Sequence, residues 1–298
     1  MPFEYLEPME PASPVTATDG LSETRRRALL TLLADEDPAT HEVARAQLLA
    51  QGPGVRDWLR PHLLSDDPGV RRGVREVFQH FGRQTADNRF LGFCLKQSED
   101  LDLELGALLL SQTRHPDANP EGYQALLDDY SLSLRQRLGS VSGTQAMLNT
   151  INKFLFVELG LAGNQDDYYN PDNSYLTRVL DRRVGIPISL CAIYLALARR
   201  LRLPVAGIGM PGHFLCRFQT SREEIYIDCF HRGRLMTKAD CVHYLLNGDA
   251  GQGEQSLQPL TSRRILMRMC GNLHRVYYHH RDAAETTRLQ RYLVALAR

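Results

Sequence analysis

The sequence predicts an α+β fold behind a helical module, and three observations carry that expectation. Helical periodicity dominates from residue 22 to about residue 202. Beyond Pro204 the pattern changes to period two, in "VAGIGM", "HFLCRFQT" and "EEIYIDCF", as half-buried antiparallel strands require. Near the N-terminus two segments echo each other, "LLADEDPATHEVARAQLLAQG" from Leu32 and "LLSDDPGVRRGVREVFQHFG" from Leu63. Helices followed by strands give α+β rather than a parallel α/β sheet. The 298 residues, 43% hydrophobic, suffice for more than one unit.

Taken in order, residues 1–21 are acidic and proline-bearing, lack a basic stretch leading into an apolar one, and are expected to form a flexible tail rather than a signal peptide. Residues 22–95 form the helical module. Each echoing segment places a leucine pair, an acidic turn and a proline ahead of a helical stripe such as Val70, Val74 and Phe78. Pro38 and Pro68 take equivalent first-turn positions. This helix-pair period of about 30 residues resembles short HEAT-like repeats, whose faces serve either packing against the next domain or a partner. Trp58 is expected in the core of this region.

The core domain is expected over residues 96–250. Two amphipathic helices around a Pro/Asn loop fill residues 96 to 140, then come a helix, the polar loop "GNQDDYYNPDNSY", a short helix, an apolar helix from Pro187 and the strands. A helical pair is expected over residues 251–298.

Thirty-five Lys and Arg balance thirty-five Asp and Glu, so no positive field draws the chain to nucleic acid or an anionic membrane. The longest apolar run, "LCAIYLALA", is less than half of the roughly 20 residues a bilayer requires. Gly207, Gly209 and Gly212 match a dinucleotide spacing but lead into a strand, which removes a nucleotide site. Six cysteines (94, 191, 216, 229, 241, 270) without a C-x-x-C pair argue against zinc and against a disulfide framework, and fit a reducing cytoplasm. No cofactor and no metal are expected.

Chemistry points to His213 and Asp228. His213 begins one strand and Asp228 ends the next, so adjacent antiparallel strands set them side by side and the carboxylate orients the imidazole. Cys191 lies in the first two turns of the apolar helix, where the N-terminal dipole favours a thiolate. Cys216 and Cys229 alternate away from this pair and are expected to face elsewhere.

A cysteine at a helix start followed by histidine and aspartate on neighbouring strands resembles the transglutaminase-like superfamily. The strings "LNTINKFLFVELGLAGNQDDYYNPDNSYLTRVLDRRVGIPISL", "ARRLRLPVAGIGMPGHFLCRF" and "YIDCFHRGRLMT" resemble its SirB1-type branch, over about residues 86 to 280. That resemblance implies a transglutaminase-like (papain-like) core of helices and antiparallel sheet, with a C-terminal pair standing as a truncated TPR-like tail. It also implies a cleft, here given to Asn164, Tyr168, Tyr169, Asn173 and Pro187. The superfamily's nucleophile falls at Pro187, and Cys191 lies four residues on, about 40° round the axis and one turn deeper. That depth weakens the dipole and adds burial, both of which raise a thiol's pKa. Two functions follow: a catalytically degenerate module binding a protein or peptide partner, or a cysteine-dependent amide hydrolase or acyl transferase using Cys191, His213 and Asp228.

Overall fold

A computed structural model describes residues 21–96, 98–246 and 254–298, so the expected tail lies almost wholly outside the described residues. The chain divides into two compact units, one ending at Phe78 and the other beginning at Gln79.

The first unit holds α1 (Glu23–Leu33), α2 (Pro38–Ala50), α3 (Val55–Leu59) and the start of α4 (Pro68–Cys94), inside which the division falls. The two echoing segments share one start device. Asp37 accepts from the Thr40 N–H at 3.0 Å with Pro38 at the first helical position. Asp67 accepts from the Gly69 N–H at 2.7 Å with Pro68 there. Each carboxylate satisfies donors the helix leaves unpaired. Gly73 lets α4 approach α1, because a Cβ there would stand 2.4 Å from Leu33 Cγ. Trp58, expected in the core, is only half-buried and lies under the Arg26 guanidinium at 5.4 Å.

In the second unit α5 (Leu103–Arg114), α6 (Pro120–Leu138), α7 (Thr144–Lys153) and α8 (Leu176–Arg182) precede α9 (Pro187–Leu201). The two-residue strands β1 (Ala162–Gly163) and β2 (Val184–Gly185) pair in parallel on either side of the polar loop. The sheet is a meander of β3 (Val205–Ile208), β4 (Leu215–Gln219), β5 (Glu224–Asp228) and β6 (Arg234–Met236), antiparallel throughout. After α10 (Lys238–Leu246) the chain closes with α11 (Ser262–His279) and α12 (Ala283–Leu296), the expected helical pair. The fold is therefore α+β as the sequence predicts.

Helix α9 organises this unit. Eleven of its fifteen residues are buried, Pro187 to Tyr194 without a break. It packs on α5, α6, α8, β3 and β4. A helix apolar all round needs cover on every side. The sheet supplies one side through Cys216, Phe218 and Ile227, which join Cys191 and Ile193 in the main core. The opposite sheet face carries Ile208, Leu215 and Tyr226, packed with Cys241 and Leu245 of α10. The polar end of α9 is held by Glu104, only 3% exposed, which accepts from Arg199 Nη2 at 3.1 Å and Arg200 Nη2 at 2.8 Å.

The turn from β5 to β6 fixes where Asp228 ends. Gly233 has φ +75°, its carbonyl accepts from Asn152 Nδ2 at 2.6 Å, and a Cβ there would stand 2.5 Å from Asn152 Cγ and 2.7 Å from Phe156. Both the dihedral and the space demand glycine. Gly233→Ala is expected to lower stability by about 3 kcal/mol, the sum of a left-handed non-glycine residue and an overpacked contact. Denaturant unfolding of the two proteins measures this.

Candidate functional site

His213 is placed by a β-turn. The His213 N–H donates to the Met210 carbonyl at 3.2 Å, Pro211 takes the second position, and Gly212 the third with φ +70°. That is the dihedral pattern of a type II turn, for which Pro-Gly is suited. Register then brings the carboxylate alongside. Cys216 pairs with Ile227, so Leu215 stands opposite Asp228, and His213, two residues earlier, is its diagonal neighbour.

The pair meets as expected from the sequence. His213 Nε2 lies 2.9 Å from Asp228 Oδ2, with side-chain exposures of 11% and 7%. A second imidazole joins them, His231, whose Nδ1 lies 2.8 Å from the same oxygen. Asp228 Oδ1 accepts from the backbone N–H groups of Phe230 at 3.1 Å and His231 at 3.2 Å. Burial alone raises a carboxyl's pKa, but hydrogen bonds and charge from His213 and His231 outweigh it and hold Asp228 below the ordinary carboxylate range. An ionised Asp228 receives the Nε2–H of His213.

Sequence reasoning missed two contributors. His231 follows Asp228 by three residues and bends back onto it through the turn. Arg268 of α11 donates from Nη2 to the His213 carbonyl at 2.7 Å and to the Met210 carbonyl, and lies over the Phe214 ring at 5.6 Å. Its only sequence signal was a basic residue on an amphipathic helix, which reads as a solvated face.

A cavity of about 660 Å³ opens beside His213. Its lining includes Pro187 and Ile188 at the start of α9, Tyr168 and Tyr169 of the polar loop, and Arg268 and Arg275 of α11. Tyr168, Tyr169 and Pro187 thus lie where the sequence reading set them. Asn164 and Asn173 are corrections. Asn173 is fully buried and donates to the carbonyls of Asp167 at 2.7 Å and Tyr168 at 3.2 Å, bracing the loop from inside. Asn164 donates to Asn173 Oδ1 at 3.0 Å and borders a separate hollow with Phe230 and His231. Ser189 completes the brace, since its Oγ accepts from the Ile186 N–H at 3.1 Å and donates to the Asn173 carbonyl at 2.7 Å.

Cys191 does not join the cavity lining. It is fully buried, and its thiol donates to the Phe214 carbonyl at 3.6 Å. Cys216 and Cys229, expected to face elsewhere, surround it, the three sulfurs lying within 4.8 Å of one another. They do alternate away from His213 and Asp228, and the face they turn to is the one covered by α9. The expected rise in the Cys191 pKa is reversed as well. Burial raises it, but the neighbouring Cys216 and Cys229 side chains, with the nearby His213, bring it below the ordinary thiol range, while Cys216 and Cys229 are pushed well above.

Because Asp228 is depressed in the folded state, its contribution to stability is present above the ordinary carboxylate value of about 4 and is lost as pH falls through its lower folded value. Asp228→Asn is expected to flatten the acid limb of a stability–pH curve below about pH 4. Denaturant midpoints across that range measure it.

Residues 121–271, half of the chain, match the family described as the transglutaminase-like superfamily. A UPF0162 protein of Xylella fastidiosa is 37% identical over 185 residues, 60% of this chain and 66% of that protein. A UPF0162 protein of Vibrio cholerae is 30% identical over 146 residues, 47% of this chain and 53% of that protein. F-box only protein 21 of Mus musculus is 37% identical over 135 residues, 43% of this chain and 21% of that protein. The chain thus spans less than two thirds of the length of these relatives. No solved structure gives a significant match. The matched residues hold α9, the meander, His213 and Asp228, and the chain belongs to the transglutaminase-like superfamily.

Proposed function

We propose that this chain is a SirB1-type binding module, a transglutaminase-like cleft that keeps its His–Asp pair and has lost its nucleophile. One observation carries the reading: the helix start facing His213 across the cavity presents Pro187, while Cys191 is sealed behind it. A lowered thiol pKa confers reactivity only on a sulfur that an electrophile can reach. Cys191 is 0% exposed.

The cleft chemistry favours a peptide bearing a carboxylate. Arg268 and Arg275 enter the cavity from α11 beside Tyr168. The first turn of α9 adds backbone N–H groups and the positive end of its dipole. HEAT-like helices in the first unit would add surface for a protein partner. Six free, buried thiols fit a reducing cytoplasm, and among the described residues no helix is long and apolar enough to cross a membrane.

Iodoacetamide labelling at neutral pH, read by peptide mass, tests the missing nucleophile. Cys191 is expected to react no faster than the other five cysteines. Pro187→Cys is expected to create a fast-labelling thiol that slows when His213→Ala is added. Fast labelling of Cys191 that is lost in a folded His213→Ala variant would restore the enzyme.

The binding arm uses fluorescence anisotropy with a short acidic peptide ending in a free carboxylate. Arg275→Ala, on the exposed rim of the cavity, is expected to weaken binding about tenfold, as one charged hydrogen bond would.

A further inference from the structure

Behind the cavity, Cys216 and Cys229 have no part in the cleft reading, yet their arrangement with Cys191 is specific. Cys191 comes from α9, Cys216 from β4 and Cys229 from the residue after β5, so three separate elements converge. Cys216 pairs with Ile227, making Cys229 its diagonal neighbour on the same sheet face, directly under α9. All three are 0% exposed, and their sulfurs lie within 4.8 Å of one another. Thiolates at about 2.3 Å from a tetrahedral zinc ion stand roughly 3.8 Å apart, within that limit.

A second observation points the same way. Tyr194, one turn along α9 from Cys191, is 1% exposed, and its hydroxyl has no hydrogen-bond partner. A buried orphan hydroxyl is costly and calls for an explanation. Tyr194 lies in the same core cluster as Cys191, Cys216 and Cys229. Three soft ligands and one unpartnered hydroxyl therefore belong to one buried core.

We propose that Cys191, Cys216 and Cys229 form a three-thiolate site for a structural zinc ion, with the Tyr194 hydroxyl supplying the fourth contact or a hydrogen bond to a thiolate. The scattered spacing of the cysteines argued against zinc only because it counted along the chain. Binding makes three Zn–S bonds to three thiolates, and each sulfur still protonated beforehand releases its proton, with no change of oxidation state. Three thiolates leave a net charge of −1 around zinc and −2 around monovalent copper, so the dry interior favours the divalent ion. Full burial makes this a closed site, filled as the chain folds.

The test is to refold the full chain under reducing conditions with zinc, dialyse it exhaustively and count metal. In parallel, cobalt(II) serves as a spectroscopic probe. One zinc per chain is expected, together with a near-ultraviolet sulfur-to-cobalt band and intense visible bands of a tetrahedral ion. Cys216→Ser and Cys229→Ser are expected to lose both signals. His231→Ala should keep them, which separates this site from the His213–Asp228–His231 group on the other sheet face. Tyr194→Phe should weaken zinc binding by about tenfold or more. Less than half a zinc per chain, a cobalt spectrum without the sulfur band, or bands that persist in both serine variants would overturn the proposal. If the serine variants do not fold, the sulfur band of the unaltered chain decides alone.

Discussion

A helix buried on every side constrains its surroundings more than any single bond can, and α9 imposes that constraint on the second unit. It has no polar stripe to give to water, so α5, α6, α8 and the sheet must each cover part of it. Its last turn reaches solvent at Arg199, and at its start the cavity opens beside Pro187 and Ile188. Position along this helix therefore separates two environments. Residue 187 faces the cavity, whereas residue 191, one turn in, faces sulfur and the underside of the sheet.

Asp228 is the electrostatic counterpart of that packing. A carboxylate this deep would be expelled or protonated if unpaired, and four N–H donors hold it ionised. Two of those donors are backbone groups of the turn that Gly233 makes possible, so turn geometry and charge stabilisation depend on one another. His213 is constrained from both ends, its ring by Asp228 and its carbonyl by Arg268. Such double bracing fixes a ring in one orientation without any substrate.

Much of this was legible in the sequence. Alternation in "HFLCRFQT" and "EEIYIDCF" placed β4 and β5, the spacing of fifteen residues brought His213 to Asp228, and Pro187 marked the start of α9. What escaped detection depended on third partners. Strand parity correctly turned Cys216 and Cys229 away from His213, but parity cannot say what covers the opposite face, and that cover is α9 with Cys191. Asn164 and Asn173 were read from a polar loop as cleft lining. The loop needs internal hydrogen bonds to hold its shape, and Asn173 spends its amide on the loop's own carbonyls. Arg268 was invisible because a basic residue on an amphipathic helix carries no mark of the turn it clasps.

The sheet thus keeps two kinds of chemistry apart. Nitrogen and oxygen groups gather on one face, His213 on the cavity and His231 half exposed beside a separate hollow. Sulfur gathers on the other, in a volume no solvent enters. The strand period of two is what enforces the separation, since residues 213, 215 and 228 cannot share a side with 216 and 229 while β4 and β5 keep their register. Moving a thiol from the interior to the cavity would require either a slipped strand, which would expose the Cys216–Phe218 core face, or a cysteine one turn earlier on α9, at position 187. The second route leaves the core untouched. On the proposed reading, the local difference between a binding cleft and a nucleophilic one in this fold reduces to the residue at the start of one buried helix.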